Sequence, residues 1–369
     1  MNIIKKALII CITLLIMPGC NKKTGYVING TIDGIERDTI FLREYKGNGV
    51  YTTYDSALIE NGSFTLKGSI DYPKRLILNF ARHRGGMTFW IENSDITISA
   101  SIDSLYKASV NGSTVQMEYQ ASQDELNEYQ QHYLDLFREL SAAKKEGEES
   151  KVKELEQLTD SALETYLEET KKYIKNHPDS YINANLIKSI AYHLDGYELE
   201  NLLNSIGEDV SSIPEMVSLR EKADVLKTVA IGQKAPDFEM TDINGNKVRL
   251  YDILEDCEIL LIDFWAAWCG PCRNENPNIL EVYNEYKNAG FDVIGVSLDR
   301  DRESWLEAIK SDGLPWTQVS DLNYWNCPVA TQYGVTAIPT SYLIDKDATI
   351  IGKNLRGSKL EEKVKSMLK

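Results

Sequence analysis

Histidine and cysteine are scarce in this 369-residue chain, and their placement excludes more than their number does. The four histidines, His83, His132, His177 and His193, all precede residue 194, and none of the six cysteines lies between Cys20 and Cys257. So long a cysteine-free stretch is incompatible with a disulfide-stapled scaffold, whose bridges must be spread along the chain. Positive charge is also in deficit: 40 Lys and Arg stand against 56 Asp and Glu, a formal net charge of −16. No basic surface for a phosphate backbone is implied, so nucleic-acid binding is not expected. Beyond the N-terminus no apolar run approaches the roughly 20 residues needed to cross a bilayer.

What is present begins with the first twenty residues. Lys5 and Lys6 precede an apolar run from Ala7 to Met17, then Pro18-Gly19-Cys20. A basic start, a short apolar core and a small residue before a break describe a secretory signal. The stretch Leu15-Ile16-Met17-Pro18-Gly19-Cys20 resembles a bacterial lipobox, although Pro18 departs from its commonest form. That resemblance implies a lipoprotein-type signal peptide over 1–19 and lipidation of Cys20. It implies a periplasm-facing lipoprotein anchored to the inner or the outer membrane through that lipid. A plain secretory signal with an incidental cysteine, or an uncleaved anchor, is the alternative.

Three regions of different periodicity follow. Residues 20–118 hold short alternating runs punctuated by Gly34, Gly47-Asn48-Gly49, Asn61-Gly62 and Gly85-Gly86, the pattern of an antiparallel β-rich domain, a small sandwich or barrel. Residues 119–228 carry helical spacing, as in Leu126, Tyr129, Tyr133, Leu136, Phe137 and Leu140. There the charged stretch Lys144–Lys153, interrupted by Gly147, is expected to join two helices, Asn176-His177-Pro178 to stop the second, and Tyr181–Leu203 to be helical. The tyrosines of this α-helical region are expected to serve packing. Residues 229–369 alternate strand and helix, with Ile259–Trp265 apolar except for Asp263, as for a strand buried on both faces.

Chemistry concentrates in Trp268-Cys269-Gly270-Pro271-Cys272, placed after that strand and at the start of a helix. Two intervening residues bring both sulfurs within reach across one turn. The first thiol sits where unpaired amides and the helix dipole favour the thiolate, the attacking species in disulfide exchange. Cys269 is thus the expected nucleophile and Cys272 its resolving, more buried partner. Half of a zinc site would need histidines or a second pair in this region, and Arg273 in place of histidine after Cys272 removes c-type haem attachment. No metal and no cofactor are expected.

The segment Asp263-Phe264-Trp265-Ala266-Ala267-Trp268-Cys269-Gly270-Pro271-Cys272 closely resembles the thioredoxin active-site segment. Ala235-Pro236-Asp237-Phe238 and Gly334-Val335-Thr336-Ala337-Ile338-Pro339-Thr340 resemble the TlpA/ResA-like branch of that family. The resemblance covers about 231–369 and implies an α/β thioredoxin-like C-terminal domain. It implies that Asp263 helps deprotonate the resolving cysteine, that Pro339 forms the cis-proline loop facing the sulfurs and substrate, and that Glu275 tunes the thiols. Pro277 would kink the helix. A satisfied buried polar group, a plain turn and an ordinary helix acid are the respective structural alternatives. Trp268 is expected to shield the thiols and touch partners, with a core role as the competing possibility. Cys257 and Cys327 match no working residue: buried inert thiols are the ordinary expectation, with an accessory disulfide or a resolving role for Cys327 left open. The region upstream resembles the β-rich plus helical part found before such modules in Bacteroidetes lipoproteins, which brings no defined chemistry.

The resemblance implies a reductase of disulfides in exported protein clients, recharged by a membrane thiol electron donor and often serving cytochrome c maturation. A thiol peroxidase and an envelope-associated adaptor are the alternatives.

Overall fold

The computed structural model describes residues 24–47 and 49–368. The expected signal peptide and the expected lipidation site Cys20 lie outside the described residues. No helix among the described residues is long and apolar enough to cross a membrane. The chain groups into two compact units that divide between Gln123 and Asp124.

The first unit is built on β1 (Tyr26–Asp33), β2 (Arg37–Gly47), β3 (Val50–Glu60), β4 (Ser63–Gly68), β5 (Lys74–Phe80), β6 (Gly86–Ile91), β7 (Asp95–Ser101) and β8 (Ser109–Asn111). Alternation along the strands sends Ile28, Ile40, Leu42, Leu66, Leu78 and Ile96 into one core. Asn61 and Gly62 both take positive φ (48° and 75°), the two-residue turn that matches strand twist, so β3 turns directly into β4. Two expectations need correction. The strands form a single sheet in the order β6-β5-β2-β3-β4-β1-β7-β8, not two packed sheets and not a closed barrel. Nor is the sheet wholly antiparallel, because β1 pairs in parallel with β7. Parallel neighbours need a long connection, here the five intervening strands, and nothing local in either strand announces it.

Two long helices follow, α1 (Thr114–Glu146) and α2 (Glu149–Asn176). Between them stand only Gly147, at φ 73°, and Glu148, so the charged stretch expected as a linker is mostly helix. Lys and Glu are good helix formers, and only the glycine breaks the run. The expected helix over Tyr181–Leu203 is two, α3 (Asn183–Ile190) and α4 (Gly196–Leu203). Asp195 starts the second by accepting the Tyr197 and Glu198 amides while Glu198 returns a bond to the Asp195 amide. A Cβ on Gly196 would sit 2.4 Å from the Lys227 nitrogen, so α4 begins hard against the end of α6 (Pro214–Thr228). The short α5 (Glu208–Ser211) and α6 complete the region.

Next come a hairpin, β9 (Glu239–Thr241) and β10 (Lys247–Arg249), and α7 (Leu250–Leu254). They lead to β11 (Ile259–Trp265), α8 (Gly270–Tyr286), β12 (Phe291–Ser297), α9 (Arg302–Asp312), β13 (Thr317–Ser320) and α10 (Pro328–Gln332). The chain closes with β14 (Thr340–Asp345), β15 (Ile350–Lys353) and α11 (Ser358–Met367). The sheet order is β13-β12-β11-β14-β15, parallel across β13, β12 and β11 and antiparallel at β14 and β15. Every residue of the central β11 is buried. Ile259, Leu261 and Trp265 face a core shared with α8, α9 and α11, while Phe264 on the other face meets Tyr333 and Tyr342. Alternation therefore puts Asp263 on the α8 side, beneath the cysteine pair. This is a thioredoxin-like domain, preceded by a β-rich domain and a helical region. Helices from residue 124 onward share a compact unit with it.

Candidate active site

Strand β11 delivers the chain to a short loop, Ala266–Trp268, and Cys269 caps α8 in extended conformation (φ −85°, ψ 93°). Pro271 occupies the first helical turn, where its missing N–H leaves no bond unmade. Cys269 and Cys272 form a disulfide with Cα atoms 5.2 Å apart, and the Cys272 amide donates to Cys269 Sγ at 3.2 Å. Both sulfurs are sheltered, Cys269 at 4% exposure and Cys272 at 1%.

Polar contacts that no sequence motif signals hold this loop. The Asp299 carboxylate accepts the Ala267 amide at 3.0 and 3.2 Å and the Ser297 hydroxyl at 2.8 Å. Arg273 forks onto Asp312, which also accepts from Asn276 at 2.7 Å. These bonds tie the head of α8 and the loop before it to the end of β12 and to the C-terminal end of α9.

Asp263 is 5% exposed. Burial pushes its carboxyl up to about 7, opposed by the positive charge of Arg356 and reinforced by Glu275. Glu275 Oε1 accepts the Gly357 amide at 3.0 Å and the Asn278 side chain at 2.8 Å. Burial raises its carboxyl too, against the lowering by the Gly357 amide, Lys144 and Arg356. The Ile338–Pro339 peptide is cis. Its Pro339 carbonyl accepts the Tyr192 hydroxyl at 2.6 Å and the Arg356 guanidinium. Asp263, Cys269, Cys272, Glu275 and Pro339 thus gather at one end of the sheet. Pro277 lies inside α8.

Trp268 is 48% exposed, which rules out the core role. Its ring packs on Tyr324 and Trp325 at 5.2 and 6.1 Å, and Arg300 lies over Tyr324 at 3.8 Å. Cys257 and Cys327 are free thiols, so no accessory bridge joins them. Burial pushes Cys257 up to about 12 and raises Cys327 as well, which leaves both poor nucleophiles. Cys257 also precedes β11, whose seven residues span about 20 Å, and so lies at the far end of the strand from Cys269.

On the Glu275 side a cleft of about 1680 Å³ opens between α8, the Pro339 loop and the helical region, with Tyr133, Phe137 and Tyr192 on its helical wall. Tyr192 and Arg356 are the residues that sequence reasoning missed. Tyr192 lay among tyrosines assigned to packing, a role that Tyr166 and Tyr173 do fill as buried residues. Arg356 belongs to no motif, and only the folded turn brings it to Pro339.

Residues 231–353 match the AhpC/TSA family, and residues 26–119 match a domain of unknown function, DUF4369. The thiol-disulfide oxidoreductase ResA of Bacillus thuringiensis is 32% identical over 139 residues, 38% of this chain and 77% of the relative. ResA of Geobacillus kaustophilus is 34% identical over 122 residues, 33% of this chain and 67% of the relative. The thioredoxin domain of a thiol-disulfide oxidoreductase from Bacteroides vulgatus is 36% identical, covering 38% of this chain and 99% of that one, with a TM-score of 0.36. With its cysteine pair at the head of α8 and its kinship to the ResA proteins, the chain belongs to the TlpA/ResA-like thiol–disulfide oxidoreductases.

Proposed function

We propose that the protein works as a reductase of disulfides in exported proteins, with Cys269 as attacking thiol and Cys272 as resolving thiol. The observation that carries this is the disulfide closed within the first turn of α8, with Cys269 at the cap and less buried than its partner. In the dithiol form, the Cys269 thiolate attacks one sulfur of a client disulfide, forming a mixed disulfide and expelling the other client sulfur as thiolate. Cys272 then loses its proton to a nearby carboxylate and attacks Cys269 Sγ. The client leaves as a dithiol, and the Cys269–Cys272 bond re-forms with two electrons transferred. Asp263, held near neutrality by burial, suits the base role, and Glu275 sits on the same side of α8. The oxidised enzyme would be recharged by a membrane thiol protein. Trp268 and the Pro339 loop would meet the client, which pairs as an extended segment. Anchoring through Cys20 would keep the centre in the periplasm, and oxidised apocytochrome c is one candidate client.

A Cys272→Ser variant should accumulate mixed disulfides with client proteins on non-reducing gels, whereas Cys269→Ser should capture none. Equal capture by both would overturn the order of attack. The AhpC/TSA match raises a thiol peroxidase as second reading. The vicinal partner of Cys269, already bonded to it, favours exchange, and little turnover of hydrogen peroxide by the purified protein is expected.

A further inference from the structure

We infer that Arg356 and Gly357, in the turn between β15 and α11, are positioning residues for the Pro339 loop and for Glu275 beside the cysteine pair, and that the helical region acts on the dithiol through them. The inference rests on the oxidoreductase reading above and adds a site of control to it.

The turn is pinned first to its own domain. Asn354 exchanges two bonds with Ser341, its amide reaching the Ser341 carbonyl at 2.8 Å and its side chain accepting the Ser341 amide at 3.0 Å. Ser341 is two residues past Pro339. Arg356 then donates to the Pro339 carbonyl, and the next residue, Gly357, donates its amide to Glu275 at 3.0 Å. One dipeptide therefore holds both the Pro339 loop and the Glu275 carboxylate, which line the same cleft beside the disulfide.

The helical region meets this dipeptide from two places and the start of α11 from a third. Tyr192, between α3 and α4, donates to the Pro339 carbonyl at 2.6 Å and accepts from Arg356 at 2.8 Å, closing a triangle of bonds. From α2, Glu156 stands against Gly357 and is held there by Lys144 of α1 at 2.9 Å. Two residues after Gly357, in the first turn of α11, Lys359 pairs with Asp160 of α2. The backbone of Gly357, at φ 54° and ψ −139°, suits glycine, and a Cβ there would have to displace the Glu156 carboxylate.

Charge couples the turn to the chemistry. Facing Arg356 are Asp263 and Glu275 from the thioredoxin-like domain and Tyr133 and His193 from the helical region, with the Lys144–Glu156 pair beside Gly357. Arg356 is the cation that both Asp263 and Glu275 share. Removing it leaves each carboxyl easier to protonate, so the base for Cys272 is charged only at higher pH. A small shift of the helical region would move Arg356 and reset both carboxyls at once.

The test uses the full-length chain with Arg356→Met, Arg356→Lys and Tyr192→Phe, each checked for an unchanged melting temperature. Two readouts are taken: the pH profile of iodoacetamide alkylation of the reduced cysteines, and KM and kcat for reduction of insulin disulfides. Arg356→Met should move the alkylation profile by roughly one pH unit to the alkaline side. Arg356→Lys should restore the profile while keeping a raised KM, because an ammonium supplies the charge without the planar fork. Tyr192→Phe, which deletes one oxygen, should lower kcat/KM about threefold to tenfold. Wild-type profiles and KM in folded Arg356→Met and Tyr192→Phe would overturn the inference. A wild-type protein inert towards insulin would instead count against the reductase reading, while the alkylation profiles would still decide the role of Arg356.

Discussion

Beneath the disulfide, two carboxyls share one positive neighbour, and burial sets their behaviour. Asp263 has an ordinary value of 3.8 and is held near 7 in the fold. Between those values the native protein keeps a proton that the unfolded chain has lost. The contribution of Asp263 to stability therefore falls as pH rises through that window and is fully lost above about pH 7. Asp263→Asn should match the stability of the wild type near pH 4 and exceed it above pH 7, by roughly a few kcal/mol of unfolding free energy, while releasing trapped client more slowly. Equal stability at pH 8 would show that Asp263 ionises without penalty. Glu275→Gln should shift the thiol titration; an unchanged alkylation profile would reduce Glu275 to a structural acceptor for Gly357. Cys269, Cys272 and Asp263 were legible because their meaning is local: a pair spaced by two residues, and one acid in an otherwise apolar strand. Tyr192 and Arg356 were not, because they are 164 residues apart and only the fold makes them partners.

Elements were legible to the extent that their breaks are chemical. Gly147 and Asn176-His177-Pro178 do end α1 and α2. Charge alone was a false linker signal, since Lys and Glu sustain a helix. The split between α3 and α4 had a signature in Asp195 and Glu198, spaced as a capping box three residues apart. Asp195→Ala removes the acceptor for two amides and should cost about 1 kcal/mol, read as a lower urea midpoint with an unchanged slope. No loss would mean that packing of Gly196 against α6 alone fixes the start of α4. In the redox domain, β11 was readable across its full length, because a strand buried on both faces shows as one apolar run.

At the scale of the whole molecule, the first unit has a core drawn entirely from residues 26–110. A fragment spanning 24–123 should therefore fold alone with β-type circular dichroism and a cooperative melt, and the full chain should unfold in more than one step. A fragment that stays unfolded would show that this core is insufficient by itself. The sequence alone determined the redox chemistry, the thioredoxin-like domain and the succession of β-rich, helical and mixed regions. Periodicity, turn residues and a two-residue cysteine spacing are properties of neighbours along the chain. The tertiary structure alone decided the parallel pairing of β1 with β7, the open single sheet, the union of the helical region with the redox domain, and the bonds of Tyr192 and Arg356 to the Pro339 carbonyl. Those depend on which distant surfaces bury each other, a long-range choice that no short window of sequence encodes.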